Sequence, residues 1–426
     1  MYNVVAVEYF GTPAVVLVNN GFVNDARSAA SGKGIPGLRV IPENVTCESN
    51  VQENIESGVN AVMDQIVAAL TKPLTLEESA PKKEVEKPSR IVFKGSFAEV
   101  NQFYYKRGWT DGLPVVPPTE EAVAEMLTGT DLPGDHLVTK IIPRMGKATV
   151  EKIAINAVMA GALPTYMPIL IAAAQAVMDR KARFDVFEVS TGSWAPFFVM
   201  NGPVRNQINL NCSSGSLSPG NMPNAALGRA VGLIVKNIGG ARKAVEDMGV
   251  IGNPGKYSLF FGENEEECLW EPLHVDRGFK KTDSTITLFL PNTFTQRIPA
   301  DTDARGVADA LAGMGPGGMS AFIINPPNAR ILAEGGWTRA KLQKFLAEKA
   351  VSPAPQPGQG PRPAMDPESV LVVVAGGPGA FMALLRSAGG GGGFNNAFVT
   401  KKIELPKAWD KLAAKYKSMV PVYARY

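Results

Sequence analysis

Histidine and cysteine are the scarce residues of this chain, two and three respectively among 426. The three cysteines, Cys47, Cys212 and Cys268, cannot form a disulfide framework, and their spacing does not suit a structural zinc site. A reduced, cytoplasmic setting is expected. Charge is sparse too: 19% of residues are charged, the net charge is +3, and there is no long basic run. Nucleic acid is therefore not an expected partner. Long apolar runs are also lacking. The most apolar stretch, 163–178, is interrupted by Pro164 and Pro168 and is shorter than the ~20 residues of a membrane span. The start, MYNVVAVEYFGTPAVVLVNN, carries no basic n-region and no small-residue cleavage site, so neither a signal peptide nor a membrane is expected.

What the chain has in quantity is apolar residues and turn formers. Hydrophobic residues make up 45%, with 43 glycines and 33 prolines, as in a folded protein with many specified loops. The length predicts two or three domains of roughly 100–200 residues each. Residues 14–18 form a continuous apolar run of the buried-strand type, 22–30 read as a short helix and 38–41 as a second strand. Residues 50–70 follow with apolar positions at helical spacing. Two strands and two helices make a poor domain alone, and something that should cover this sheet is missing. The stretch 75–89 is charged, bounded by prolines and poor in large apolar residues, as linkers are. Beyond it the pattern predicts helices at 97–105, 119–127, 148–160, from Thr165, and at 221–238 and 338–349. Strands are predicted at 185–190, 196–200, 257–261, 285–290, 319–325 and 370–375, the last followed by a turn and a short helix.

The expected fold class is α/β. An incomplete N-terminal α/β half-domain (1–74) is followed by a linker (75–90). A larger layered α/β substrate-binding region (91–426) comes next, with a Pro-rich loop at 353–367. No regular repeat is visible, and the Gly-Trp-Thr shared by 108–110 and 336–338 reads as coincidence.

Most of the unusual chemistry lies between 201 and 279. The Ser/Gly-rich loop 213–220 feeds a predicted helix, and such a junction offers unpaired N–H groups and a positive dipole end to an anion. Arg205, Ser213, Ser214, Gly215 and Asn221 are candidate substrate contacts; the plain alternative is a tight connection whose glycines serve backbone geometry. GVIGNPGKY at 249–257 approaches a phosphate-binding loop and fails it, because the glycine spacing is wrong and Tyr257 follows Lys256. Asn253 and Lys256 stand as candidate substrate contacts against a simple turn into a strand. Trp109 and Asp111, in the turn-rich loop 108–114, join them. The acidic run 263–267, with Glu271, His274 and Asp276, can bind a divalent metal or share a proton. His274 and Glu267 are candidate catalytic residues, against the ordinary reading of a solvated acidic turn. Cys212 is a third, either a thiolate near a helix N-terminus or a small buried apolar side chain. Cys47 and Cys268 have no activating neighbours, and His136 reads as surface. The turn 376–379 is a second candidate anion loop, and the glycine run 389–393 a candidate lid.

Three N-terminal stretches carry a resemblance: Tyr9-Phe10-Gly11-Thr12-Pro13-Ala14-Val15-Val16, Phe22-Val23-Asn24-Asp25-Ala26-Arg27 and Gly37-Leu38-Arg39-Val40-Ile41-Pro42. Together they resemble the back half of the UGSC-type (seleno)protein domain. GWTDGLPVVPPT, ATVEKIAINAVMAG, GNPGKYS and WEPLHVDRGF resemble the C-terminal portion of longer members. In that family a Sec/Cys-Gly-Ser-Cys redox motif precedes these segments; it would lie just ahead of Met1, and this sequence has none. Two explanations stand. The motif sits on a separate partner chain, or a UGA selenocysteine codon was read as a stop and the start placed at the next Met. The resemblance implies thiol- or selenol-dependent redox chemistry or reductive cleavage of a small molecule, as does a distant likeness to the selenoprotein component of glycine reductase. It also implies that the large region binds a small anionic substrate, with His274 or a nearby carboxylate as proton source. Two other readings stay open. One is metal-dependent hydrolase or lyase chemistry by the 263–276 cluster; the other is a non-catalytic binding subunit for a Cys/Sec-bearing partner. The expected partners are a small-molecule substrate and either a second copy of the chain or a Cys/Sec-bearing chain.

Overall fold

The computed structural model describes residues 2–45, 51–79, 89–299, 301–350, 365–387 and 397–422. Cys47, the glycine run 389–393, most of the Pro-rich loop and much of the predicted linker lie outside the described residues. The fold is α/β. Its first elements are α1 (Tyr2–Tyr9), β1 (Val15–Asn19), α2 (Val23–Gly32), β2 (Arg39–Glu43), α3 (Gln52–Ala61), α4 (Met63–Thr71) and α5 (Leu76–Ser79). β1 and β2 pair in parallel, Val16 against Val40, as two apolar runs joined through a helix do. Their core is small, built on Val5, Val16, Ala30 and Leu38, while Leu17, Ile55, Met63 and Val67 stay exposed. The single amphipathic helix predicted over 50–70 is broken at Val62, which leaves helical geometry and turns inward to be buried.

The large region opens with α6 (Phe97–Lys106) and α7 (Glu120–Leu127), started by the side-chain caps Ser96 and Thr119. The hairpin β3 (Leu137–Ile141) and β4 (Gly146–Thr149) leads into α8 (Val150–Met159) and α9 (Met167–Val177). α10 (Phe184–Phe187) stands where a strand is predicted. Phe184, Phe187 and Glu188 are all buried, and their spacing of three and four is that of a helix face. β5 (Phe197–Asn201), α11 (Val204–Gln207), α12 (Met222–Ile234), β6 (Phe260–Gly262), α13 (Leu273–Asp276) and β7 (Thr285–Phe289) follow. Next come β8 (Thr293–Arg297), α14 (Ala304–Ala312), β9 (Ser320–Ile324), α15 (Pro326–Glu334) and α16 (Arg339–Glu348). β10 (Val370–Val374), β11 (Met382–Arg386), β12 (Val399–Lys402) and α17 (Trp409–Lys417) complete the described chain. β11 replaces the short helix predicted after β10. Its Met, Ala and Leu favour helices, but a place between β9 and β8 buries them in a sheet, and burial wins.

Among the described residues β5–β12 form two mixed four-stranded sheets, β12-β7-β5-β6 and β10-β9-β11-β8. Alternate side chains of each enter different cores. Phe197, Val199, Phe261 and Phe289 meet Ala321, Ile323, Val373 and Leu385 between the sheets. Phe198, Met200, Phe260 and Leu288 face the other way, onto α8, α9 and α12. Phe322, Ile324, Val372 and Leu384 pack on α14, α15 and α16. The result is four layers, helix–sheet–sheet–helix. Each phenylalanine buried between the sheets contributes roughly 1.5–3 kcal/mol relative to exposure. No helix among the described residues is long and apolar enough to cross a membrane.

This topology contains a duplication that the sequence conceals. β5, α11–α12, β6, β7 and β9, α15–α16, β10, β11 run in the same order and sense. In each, the first strand is parallel to the second and antiparallel to the third. Met200 pairs with Gly262 as Ile324 pairs with Val374. The trace left in the sequence is FVMNGP at 198–203 and FIINPP at 322–327. Each half then hands a strand to the other, since β8 pairs with β11 and β12 with β7. The two Gly-Trp-Thr tripeptides lie outside this correspondence but share a local cause. Gly108 and Gly336 take the left-handed conformation after α6 and α15, and the N–H groups of Trp109 and Trp337 reach back to the Tyr104 and Leu332 carbonyls.

Gly202 turns the chain out of β5 at φ +88°, and a Cβ there would lie 2.1 Å from the Asp283 carbonyl oxygen. Gly202→Ala is expected to cost on the order of 3 kcal/mol in urea unfolding. A loss under about 1 kcal/mol would mean that the facing backbone yields.

Candidate functional site

The residues singled out in the sequence fall into two places at opposite ends of β5. Pro196, just before the strand, lines a cavity, and Asn201, its last residue, enters a buried ionic cluster. A strand of that length, at ~3.3 Å per residue, sets the two roughly 15 Å apart.

In the cluster, the Asn201 amide donates to Glu263 Oε2 (2.5 Å) and Glu265 Oε1 (2.9 Å), and Gly202 N donates to the same Glu265 oxygen at 2.7 Å. Arg205, only 2% exposed, meets Glu265 Oε2 at 3.2 Å and Glu266 Oε1 at 3.1 Å. Arg339, from α16 in the other half, meets Glu263 Oε1 at 2.8 Å and also pairs with Asp276. Burial works against both guanidiniums. Glu265 and Glu266 around Arg205, and Glu263 and Asp276 around Arg339, overcome it and hold both above the ordinary arginine value. His274 on α13 is fully buried, its Nδ1 4.0 Å from Glu265 Oε1. Both its ring nitrogens, together with Asn201 Oδ1, Arg205 Nε, Thr285 Oγ1 and Arg339 Nε, have no hydrogen-bond partner among the described residues. Buried polar atoms of this kind are satisfied by ordered water or a bound polar group.

Cys212 Sγ accepts from Arg205 Nη1 at 3.6 Å, and Gly376 N donates to the Cys212 carbonyl. The two Gly-rich loops, 213–220 and 376–379, therefore lie together, with Ser214 against Gly377. Ser213 N donates to Asn211 Oδ1, and the Gly215 carbonyl accepts from Ser218 N. Asn221 caps α12 by accepting from Asn224 N at 3.3 Å. Glu267 accepts from Asn264 Nδ2 at 3.1 Å. Burial, reinforced by Glu263, pushes the Cys268 thiol up to about 11, the opposite of an activated nucleophile. Among the described residues no three His, Cys, Asp or Glu side chains are arranged to hold a metal ion. The carboxylates of 263, 265, 266 and 276 are turned to Arg205, Arg339 and amides instead, so this cluster does not fit a divalent metal.

The cavity, about 380 Å³, lies between α12 and the loop 249–257. Asp111, Asn253 and Lys256 line it, with Glu188, Arg229, Lys236, Lys243 and Asp247. Leu233, Val250, Ile251 and Tyr257 supply apolar wall. Arg229 holds Asp111 in a two-bonded pair at 2.8 and 2.9 Å. Burial works against the Asp111 carboxylate, but this pairing keeps it below its ordinary value. Trp109 does not line the cavity; it braces the loop carrying Asp111, its carbonyl accepting from Asn237 at 3.0 Å and its ring against Phe103 and Tyr104. Asn253 shapes the opposite loop, accepting from Gly255 N and donating to Ser193 O, each at 2.9 Å. Lys256 Nζ is 2.6 Å from Asp247 Oδ2 and 3.7 Å from Glu188 Oε1. Burial, with Asp247 adding to it and Lys256 opposing, pushes the Glu188 carboxyl up to about 7. Burial also holds Lys236 below the ordinary lysine value.

The N-terminal elements reach this cavity's wall. Ser28 on α2 donates to Glu246 Oε1 at 2.5 Å, and Arg144 Nε lies 2.9 Å from both Ser28 Oγ and Glu246 Oε1. Arg242 adds bonds of 2.9 and 2.6 Å to Glu246. Burial and then Glu246 push Asp25, on the same helix, up to about 6. The turn 242–247 thus joins α2 on one side and places Lys243 and Asp247 in the cavity on the other.

Sequence reasoning missed Glu188, Arg229, Lys236, Lys243 and Asp247. One signal was present: Arg229 is a lone charge among the apolar and small residues of α12. None of His274, Glu267 and Cys212 lines the cavity.

Residues 1–72 match the model of the UGSC family, a span that holds β1, α2 and β2 and includes Ser28. No curated protein and no solved structure matches the chain.

Proposed function

We propose that this chain joins a UGSC-like N-terminal segment to a binding region for a small anion, and serves thiol- or selenol-dependent redox chemistry or reductive cleavage of that molecule. The observation that carries the reading is the shared turn 242–247. It bonds α2 of the UGSC-matched segment and also supplies two groups to the cavity. A volume of about 380 Å³ suits a small molecule. Four cations, Arg229, Lys236, Lys243 and Lys256, face it against Asp111 and Asp247, with Glu188 titrating near neutrality. That balance favours a carboxylate or phosphate group, and the apolar wall favours a short hydrocarbon body. Among the described residues no cysteine lines the cavity, and the reactive sulfur or selenium is taken to come from a Cys- or Sec-bearing chain that meets the N-terminal segment. The ionic cluster at the far end of β5 then serves to lock the two halves together, through Arg339 on Glu263 and Asp276.

Calorimetric titration with a panel of small carboxylates, sulfate and oxalate tests the binding half of the proposal. Binding weakened at least about tenfold (~1.4 kcal/mol) by Lys256→Ala and by Arg229→Leu is expected. Lack of binding by every anion in the panel would remove the cavity as the substrate site.

A further inference from the structure

We infer that anion binding in this cavity is coupled to uptake of one proton by Glu188, which makes Glu188 the proton carrier of the site. The inference rests on the anion-binding reading above and adds a titrating partner to it. Glu188 follows α10, is 4% exposed and lines the cavity. The ammonium of Lys256 stands between it and Asp247, 3.7 Å from one and 2.6 Å from the other. One cation between two carboxylates leaves the trio with a net negative charge when both are ionised. Asp247 holds the shorter contact and also accepts from Gly249 N at 3.3 Å, so Glu188 is the member left to protonate. Burial already brings it to about 7.

The other charged groups around the cavity do not relieve Glu188. Arg229 is committed to Asp111, and Lys236 donates to the Gly108 carbonyl. Lys243 is exposed, and on the segment that carries Glu188, Asp185 pairs with Arg183. An anion drawn to Lys256 competes for the same ammonium and raises the energy of ionised Glu188 further. A proton taken from solvent onto the carboxylate removes that repulsion. It also turns an acceptor into an O–H donor aimed at the ligand, the state a general acid requires. No other bond is made or broken.

The test uses sulfate and oxalate, which do not themselves titrate between pH 6 and 9. Titration calorimetry at pH 8 in Tris and in HEPES, buffers of different ionisation enthalpy, reads protons taken up per anion bound. Uptake approaching one proton is expected, with the dissociation constant rising by up to about tenfold per pH unit above 7. Glu188→Gln should abolish the uptake and flatten the pH profile. Difference infrared spectra give a readout without the variant: the carboxylic-acid carbonyl band should grow on binding. Binding without proton uptake, or uptake that persists in Glu188→Gln, overturns this inference alone. Failure of both anions, together with the rest of the panel, to bind overturns the cavity reading and this inference with it.

Discussion

Arg339→Met is expected to cost about 3–5 kcal/mol of stability, read as a fall in the urea midpoint at unchanged slope. The reason lies in what the substitution leaves behind. Glu263 is fully buried, and Arg339 is the only cation its carboxylate is bonded to among the described residues. Asn201 and the Leu273 N–H would still donate to Oε2, but Oε1 would lose its charge-assisted bond. An ionised carboxylate without a countercharge in such a place is costly. The double variant Arg339→Met with Glu263→Gln removes the stranded charge and is expected to recover more than half of the loss. Equal losses in the single and double variants would show that Arg339 acts by packing on Trp270 rather than by charge.

Glu188→Gln is expected to stabilise the protein at alkaline pH and to lose that advantage in acid. The folded state raises this carboxyl from 4.5 to about 7, which corresponds to about 3 kcal/mol. Below pH 4.5 the group is protonated in both states and contributes no pH dependence. As pH rises toward 7 the folded protein keeps a proton that the unfolded chain has released, so stability falls. By pH 8 nearly all of that stability is lost in the wild type, whereas glutamine has nothing to titrate. The difference between variant and wild type should therefore grow by up to about 3 kcal/mol between pH 4.5 and 8. Asp25 titrates the same way in both proteins and cancels. A pH-independent difference in urea unfolding would mean that burial does not raise the Glu188 carboxyl. Carrying a destabilising acid in a binding cavity is a common cost of function.

The sequence was a good guide wherever local signals and burial agree. β1, β5, β9 and β10 were legible as apolar runs, and α6, α7, α12 and α16 through their caps and periodicity. The UGSC resemblance was legible in the N-terminal segment, where the family model also matches. The edge strand β8 was not, because four of its five residues are exposed and it has no apolar run. β11 was hidden by helix-favouring composition, and α10 by a pattern too short to separate a period of two from one of three to four. The candidate site was half legible. Asp111, Asn253 and Lys256 meet in the cavity, and Arg205, Cys212 and His274 gather in the cluster. That these are two places became visible only when β5 was seen to separate them. Glu188 carried no local signal at all, since its character comes from burial first and then from Asp247 and Lys256, distant in sequence and adjacent in the fold.

The exchange of β8 and β12 has a consequence for how the chain folds and fails. Leu288 waits for Val399, and Arg297 for Met382, before either sheet is complete. Neither half can close its own sheet during synthesis, so the first to emerge presents the bare edge of β7 until the last strand arrives. Such long-range pairings slow folding and expose a strand edge to other chains. A cut in the loop between β7 and β8 would accordingly leave the protein nicked but joined, not divided into two independent domains.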